Sequence, residues 1–148
     1  MKFCKVSCCL VVVGILAGFG FNNAADDMQK FQGSWTLVSG EVDGQPIGEQ
    51  DILDSSLVIV GDEYTVEVGS MVVKGTQTLN ADTSPKQIDG HDTTGPNIGL
   101  SRGIYEFVND DELRVSFSLP GHERPTTFVT KVGTGNWTHV WRRVQADE

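Results

Sequence analysis

Hydrophobic and polar residues alternate with a period of two along much of the chain. In the clearest example, residues 113–119 (Leu-Arg-Val-Ser-Phe-Ser-Leu), every second side chain is apolar. Residues 64–68 and 104–108 follow the same pattern, and residues 126–132 and 137–144 are rich in β-branched and aromatic side chains. Because successive side chains of a strand point to opposite faces, this pattern predicts half-buried β-strands.

Short turn-forming segments separate the predicted strands. They are rich in Gly, Asp and Asn and lie at residues 43–44, 61–63, 69–70, 109–111 and 133–136. Short strands joined by tight turns predict an all-β antiparallel fold, either a sandwich or a barrel. Two short helical turns are also predicted, one at residues 27–31 with Asp27 as N-cap and one around residues 48–53. We find no internal repeat and no linker, so residues 26–148 are predicted to form one domain.

The N-terminal segment has the composition of a secretory signal peptide. A short basic end precedes an uncharged apolar run at residues 8–21, and small residues follow up to Ala24 and Ala25. The apolar run is too short to cross about 30 Å of hydrocarbon comfortably. We therefore predict that residues 1–25 are removed by cleavage after Ala24 or Ala25, and that the mature protein is secreted or periplasmic and does not span a membrane.

This predicted cleavage also changes the chemistry of the mature chain. All three cysteines (Cys4, Cys8 and Cys9) lie in the removed segment, so the mature protein is expected to contain no disulfide and no cysteine metal site. The full chain of 148 residues carries a formal net charge of −9. An acidic surface disfavours nucleic acid and anionic membranes as partners.

A short motif at the start of the predicted domain helps to choose between the two fold types. Phe31 ends the first helical turn, and Gly33 and Trp35 follow it. This arrangement resembles the lipocalin and calycin pattern, which implies that Gly33 lets the chain bend into a barrel and that Trp35 closes one end. The resemblance also implies an arginine from the last strand lying over the indole, a cation–π contact. We name Arg142 for this structural role and keep Arg143 as the alternative.

A second resemblance covers most of the predicted mature chain. It is to a family of uncharacterised secreted domains with a lipocalin-like fold that is expanded in planctomycete bacteria. The matching segments are residues 33–35, 41–47, 61–66, 85–89, 103–106 and 124–128. This resemblance implies an up-and-down lipocalin-like β-barrel. It carries over no catalytic residue, since the family has no established activity.

The sequence contains no recognisable catalytic or metal-binding motif. His91, His122 and His139 lie on three separate segments without zinc spacing, and there is no nucleophile elbow or phosphate loop. We interpret residues 88–92, around His91, as a solvated loop rather than a metal or acid–base cluster. The protein is therefore predicted to be non-enzymatic, with no cofactor and no bound metal.

Two functional hypotheses remain open. In the first, the barrel is an extracytoplasmic binding module for a small apolar or amphipathic molecule, with Phe107, Phe117, His139 and Trp141 as candidate ligand contacts in its interior or mouth. In the second, large side chains fill the barrel, and the domain binds another extracytoplasmic protein through its loops as an inhibitor or envelope component. The volume of the barrel interior discriminates between these hypotheses.

Overall fold

Within residues 23–146, which the computed structural model describes, the chain forms nine β-strands and two short helices. In chain order these are α1 (Ala24–Phe31), β1 (Gly33–Val42), β2 (Gln45–Pro46), α2 (Glu49–Leu53), β3 (Ser56–Val60), β4 (Glu63–Val68), β5 (Met71–Asn80), β6 (Lys86–Asp92), β7 (Gly99–Asn109), β8 (Glu112–Phe117) and β9 (Trp137–Arg143). The predicted signal peptide, residues 1–25, falls outside the described residues apart from its last three positions.

Eight of the strands in this part of the chain close into an antiparallel barrel. Their order is β1-β3-β4-β5-β6-β7-β8-β9, and β9 pairs again with β1. The two-residue strand β2 folds back on the end of β1 as a hairpin. Every barrel strand therefore pairs with its neighbours in sequence, and closure leaves no long unpaired edge. The predicted all-β, up-and-down lipocalin-like barrel is confirmed.

Helix α1 covers one end of the barrel, which we call the closed end. Its N-cap is Asn23, whose Oδ1 accepts a hydrogen bond from the Asp26 amide at 2.9 Å, so the predicted N-cap at Asp27 is wrong. Asp27 is fully buried instead, and it accepts hydrogen bonds from the Tyr105 hydroxyl at 2.7 Å and from Lys86 Nζ at 2.6 Å. A buried carboxylate with these partners fixes the helix to the strands beneath it.

The closed end is sealed by Trp35, which has no exposed surface. Gly33 precedes it with φ of +110°, a conformation that favours glycine and turns the chain from α1 into β1. The Trp35 indole N–H donates to the carbonyl of Phe31 at 2.9 Å. Arg143 places its guanidinium carbon 4.1 Å from the indole ring centroid and donates to the carbonyls of Gln32 and Lys30 at 2.7 and 2.6 Å.

The contact over Trp35 belongs to Arg143, and the assignment of Arg142 to this role is therefore corrected. Trp35 and Arg143 are direct partners in the β1–β9 ladder, so their side chains share a face. Arg142 faces Thr36 across the same ladder and points to the outside, where 61% of its side chain is exposed. There it pairs with Glu112 at 3.5 Å.

A long irregular segment, residues 118–136, connects β8 to β9. The strand expected at residues 126–132 is absent from it. Side-chain hydrogen bonds, rather than a backbone ladder, connect this segment to the barrel. The Glu41 carboxylate accepts a hydrogen bond from the Thr130 amide at 2.7 Å. Arg124 donates to the Gly103 carbonyl at 2.7 Å and forms an ion pair with Asp89 at 2.6 Å.

Candidate functional site

The barrel encloses a cavity of about 610 Å³. Phe31 of α1 forms its floor, and the hairpin residue Pro46, Met71 at the start of β5 and Pro96 of the β6–β7 loop lie at its opposite end. The cavity therefore opens away from α1, at what we call the open end. Its volume falls within the range of about 300–1,000 Å³ that small-molecule sites occupy.

Apolar side chains form most of the cavity wall. They come chiefly from β3, β4, β5, β8 and β9 and include Leu57, Ile59, Val66, Val68, Val73, Leu113, Val115, Phe117, Trp137 and Trp141. The strands predicted at residues 64–68, 113–119 and 137–144 thus supply part of the lining, because every second residue of a strand points inward. The contributions from β3 and β5 were not predicted.

Glycines on three neighbouring strands help to keep the interior open. Gly75, Gly90 and Gly103 lie on β5, β6 and β7, and aromatic side chains from strands one or two positions away pack over them. A Cβ added to Gly103 would lie 2.5 Å from Cδ1 of Phe117, and one added to Gly90 would lie 3.1 Å from the Tyr64 hydroxyl. Both rings therefore lie close against the barrel wall, in space that larger residues at these positions would fill.

Three of the four predicted contact residues line this cavity. The Phe117 ring stacks on Trp137 with centroids 5.6 Å apart and an interplanar angle of 24°. His139 packs edge-to-face with Trp141 at 5.5 Å and 87°. These two aromatic pairs of β8 and β9 both belong to the cavity wall.

Phe107, the fourth predicted contact, lies at the closed end and does not line the cavity. Its ring centroid is 5.2 Å from that of Phe31, and Lys30 Nζ lies 5.6 Å from the Phe107 centroid. Phe31 thus occupies the floor between Phe107 and the lumen. The prediction that Phe107 contacts the ligand is therefore corrected. The alternation along β7 predicts that Phe107 points inward, but it does not predict how far along the barrel axis the residue lies.

Sequence reasoning missed a group of buried polar residues in the same cavity. Asp92 is 8% exposed and accepts a hydrogen bond from the Tyr64 hydroxyl. Burial raises the pKa of Asp92, and burial together with the bond to Asp92 raises the pKa of Tyr64. Gln77 and Ser101 are also buried in the lining, at 5% and 2% exposure. Among the described residues, the Ser101 hydroxyl has no hydrogen-bond partner.

The segment around His91, interpreted from the sequence as a solvated loop, is strand β6. His91 is exposed on the outer face of the barrel, and Asp92, its neighbour, points inward. The signal that could have revealed this is the alternation of Ile88, Gly90 and Asp92, which share the inner face. His122 lies exposed in the segment after β8.

His139 is an uncharged polar group in this cavity at neutral pH. Burial penalises the imidazolium form and lowers the pKa of His139 to about 4. A neutral imidazole offers one donor and one acceptor nitrogen to a bound molecule.

Searches for metal-ligand clusters and for membrane-spanning helices gave negative results within the described residues. Nowhere in residues 23–146 do three or more His, Cys, Asp or Glu side chains cluster as metal ligands. In the same part of the chain, no helix is long and apolar enough to cross a bilayer.

Comparison with protein-family models, curated proteins and solved structures gave no match to this chain.

Proposed function

We propose that this protein is a non-enzymatic binding module that holds a small, mainly apolar molecule inside its barrel. The observation that carries the proposal is the cavity of about 610 Å³, which is lined mainly by aliphatic and aromatic side chains. Trp35 and Phe107 pack at the closed end and leave this volume unfilled. The cavity favours the small-ligand hypothesis over a filled barrel that acts only through its loops.

Binding rather than turnover is supported by how the reactive side chains are arranged. Nucleophilic catalysis by serine requires a base within hydrogen-bond reach of the hydroxyl. In the cavity the Ser101 hydroxyl has no such partner among the described residues, and the Asp92 carboxylate is engaged by Tyr64 rather than by a histidine.

A neutral fluorescent probe, N-phenyl-1-naphthylamine, tests the proposal. Its emission should rise when it enters the cavity, and saturable binding is expected. Val66→Trp adds a large side chain to the inner wall and should weaken binding about tenfold or more, whereas Val58→Trp, on the exposed face of the neighbouring strand, should not. An absence of probe binding to the wild type, or equal binding by both variants, would refute the proposal.

We also propose that the module acts outside the cytoplasm, as the composition of residues 1–25 indicates. Ala24 and Ala25 belong to the first turn of α1, so the expected cleavage would shorten that helix and leave buried Asp27 in the mature chain. Mass measurement of the protein purified from its native cell should place the new N-terminus near Ala25 or Asp26. Recovery of the uncleaved chain from the cytoplasm would contradict this localisation.

A further inference from the structure

Three of the buried polar side chains of the cavity, Gln77, Asp92 and Ser101, lie on the neighbouring strands β5, β6 and β7. Asp92 ends β6 near the open end, and Ser101 lies on the adjacent strand β7. In the ladder between these strands Asp92 pairs with Gly99 and Ser101 pairs with Gly90, which makes Asp92 and Ser101 diagonal neighbours on the inner face. Such neighbours lie about 7–8 Å apart, so one small head group can contact both side chains.

Asp92 is a buried carboxylate that forms no ion pair within the described chain. The Tyr64 hydroxyl is its one side-chain hydrogen-bond donor there, and none of the ion pairs among these residues includes it. Buried carboxylates are normally paired with a cation or fully hydrogen-bonded, because an unpaired ion loses its hydration. By comparison, the fully buried carboxylate of Asp27 at the closed end has Lys86 as its partner.

Ser101 provides a second, independent sign of a missing partner. Its side chain is 2% exposed and lines the cavity, yet its hydroxyl forms no hydrogen bond within the described residues. A buried hydroxyl left without a hydrogen-bond partner destabilises the fold. A ligand that supplies hydrogen-bond donors near Asp92 would satisfy both residues.

On the basis of the proposed binding function, we infer that the ligand is an amphipathic amine. Its ammonium group pairs with Asp92 and donates a second hydrogen bond to Ser101 Oγ, while its apolar body lies along Phe117, Trp137 and Trp141. A charge-assisted hydrogen bond is about twice as strong as a neutral one, and the low local dielectric of an apolar cavity strengthens it further.

The same arrangement selects against fatty acids and other apolar anions. An anionic head group at this position would face Asp92 at close range, and the chain as a whole has a net charge of −9. Like charges in a partly desolvated site repel each other strongly, whereas a neutral alcohol loses only the ionic part of the interaction.

Calorimetric titration at neutral pH with decylamine, decan-1-ol and decanoate tests the inference, because the three probes share one chain length. An alkylamine is protonated at this pH, as lysine is. We expect decylamine to bind about ten- to a hundredfold more tightly than decan-1-ol, which is the range for hydrogen bonds to charged groups, and decanoate to bind most weakly. Equal affinities for decylamine and decan-1-ol would overturn the inference while leaving the proposed function intact. Failure of all three probes to bind would overturn both.

Variants assign the preference to the named residues. Asp92→Asn keeps an acceptor for the Tyr64 hydroxyl but removes the charge, and it should abolish the preference for decylamine while preserving the affinity for decan-1-ol. Asp110→Asn makes the same change in net charge on an exposed turn between β7 and β8 and should alter neither affinity. Ser101→Ala should lower the affinity for decylamine a few-fold. Retention of the full decylamine preference in Asp92→Asn, or of full decylamine affinity in Ser101→Ala, would show that the head group binds elsewhere.

Discussion

The Tyr64 hydroxyl reaches over Gly75 to donate a hydrogen bond to Asp92, two strands away. Tyr64 and Gly75 are partners in the β4–β5 ladder, and Gly75 and Asp92 are partners in the β5–β6 ladder. A Cβ on residue 75 would lie 2.6 Å from the Tyr64 hydroxyl oxygen and would overlap the backbone carbonyl of His91. The absence of a side chain at Gly75 therefore allows the tyrosine to bridge to the carboxylate.

Gly75→Ala is accordingly expected to destabilise the fold and to displace Tyr64 from Asp92. Overpacking of this kind costs about 1–3 kcal/mol, and here one of the overlapping atoms is backbone and cannot rotate away. Gly90→Ala is the graded control, since its Cβ would lie 3.1 Å from the Tyr64 hydroxyl and would overlap no backbone atom. Urea denaturation should show a larger loss of stability for Gly75→Ala than for Gly90→Ala. The reverse order would contradict the role given to Gly75 in the Tyr64–Asp92 hydrogen bond.

Asp92→Asn should change how stability depends on pH. Burial raises the pKa of Asp92 above its unfolded value, so the folded carboxyl keeps its proton to a higher pH than the unfolded one. The stability associated with the protonated form is complete below about pH 3.9 and is lost as pH rises through the raised pKa. The wild type should therefore lose stability relative to Asp92→Asn as the pH is raised from about 4 towards neutrality.

Denaturation midpoints measured across that range check this expectation. Asp110→Asn removes an exposed carboxylate and controls for the change in net charge. Parallel pH profiles for the wild type and Asp92→Asn would show that burial does not penalise the Asp92 carboxylate.

The all-β barrel could be predicted from the sequence, because period-two alternation and tight turns indicate β-strands independently of what the protein binds. The strand containing Asp92 was missed for a physical reason. Only Ile88 among its inward residues is apolar, and Gly90 and Asp92 are both disfavoured in strands, so the pattern resembled a loop. Asp92, the buried carboxylate of the cavity wall, lies on this strand and was missed with it.

The choice between Arg142 and Arg143 was available from the same alternation. Trp141 and Arg143 are two residues apart and must share the inner face once Trp141 is taken to point inward. The cavity itself could not be read in this way. Its volume depends on how far Phe117 and Tyr64 lean over glycines of neighbouring strands, and this is a property of the register between strands rather than of any one segment.

The closed end gives a prediction for the Trp35–Arg143 pair. Trp35→Ala removes a fully buried indole and should cost about 3–5 kcal/mol. Arg143→Ala removes a cation–π contact and hydrogen bonds to two carbonyls and should cost about 1–3 kcal/mol. Arg142→Ala, the matched control on the adjacent residue, breaks only an exposed ion pair worth about 0–1 kcal/mol. Guanidinium denaturation of the three variants should preserve this order, and equal losses for the two arginine variants would contradict the assignment of Arg143.

His139 is expected to make the barrel sensitive to mild acid. Burial lowers the pKa of His139 from 6.5 to about 4, so the unfolded chain binds a proton that the folded chain excludes between these values. The stability from the neutral imidazole is therefore complete above about pH 6.5 and is lost as pH falls through the folded pKa near 4, an effect of about 3 kcal/mol. In His139→Gln, where residue 139 cannot titrate, this part of the pH dependence of stability should disappear. His122→Gln removes an exposed histidine from the segment after β8 and should retain the wild-type dependence of stability on pH. Denaturation midpoints from pH 4 to pH 7 separate the two variants, and an unchanged slope in His139→Gln would show that the acid sensitivity arises at another group.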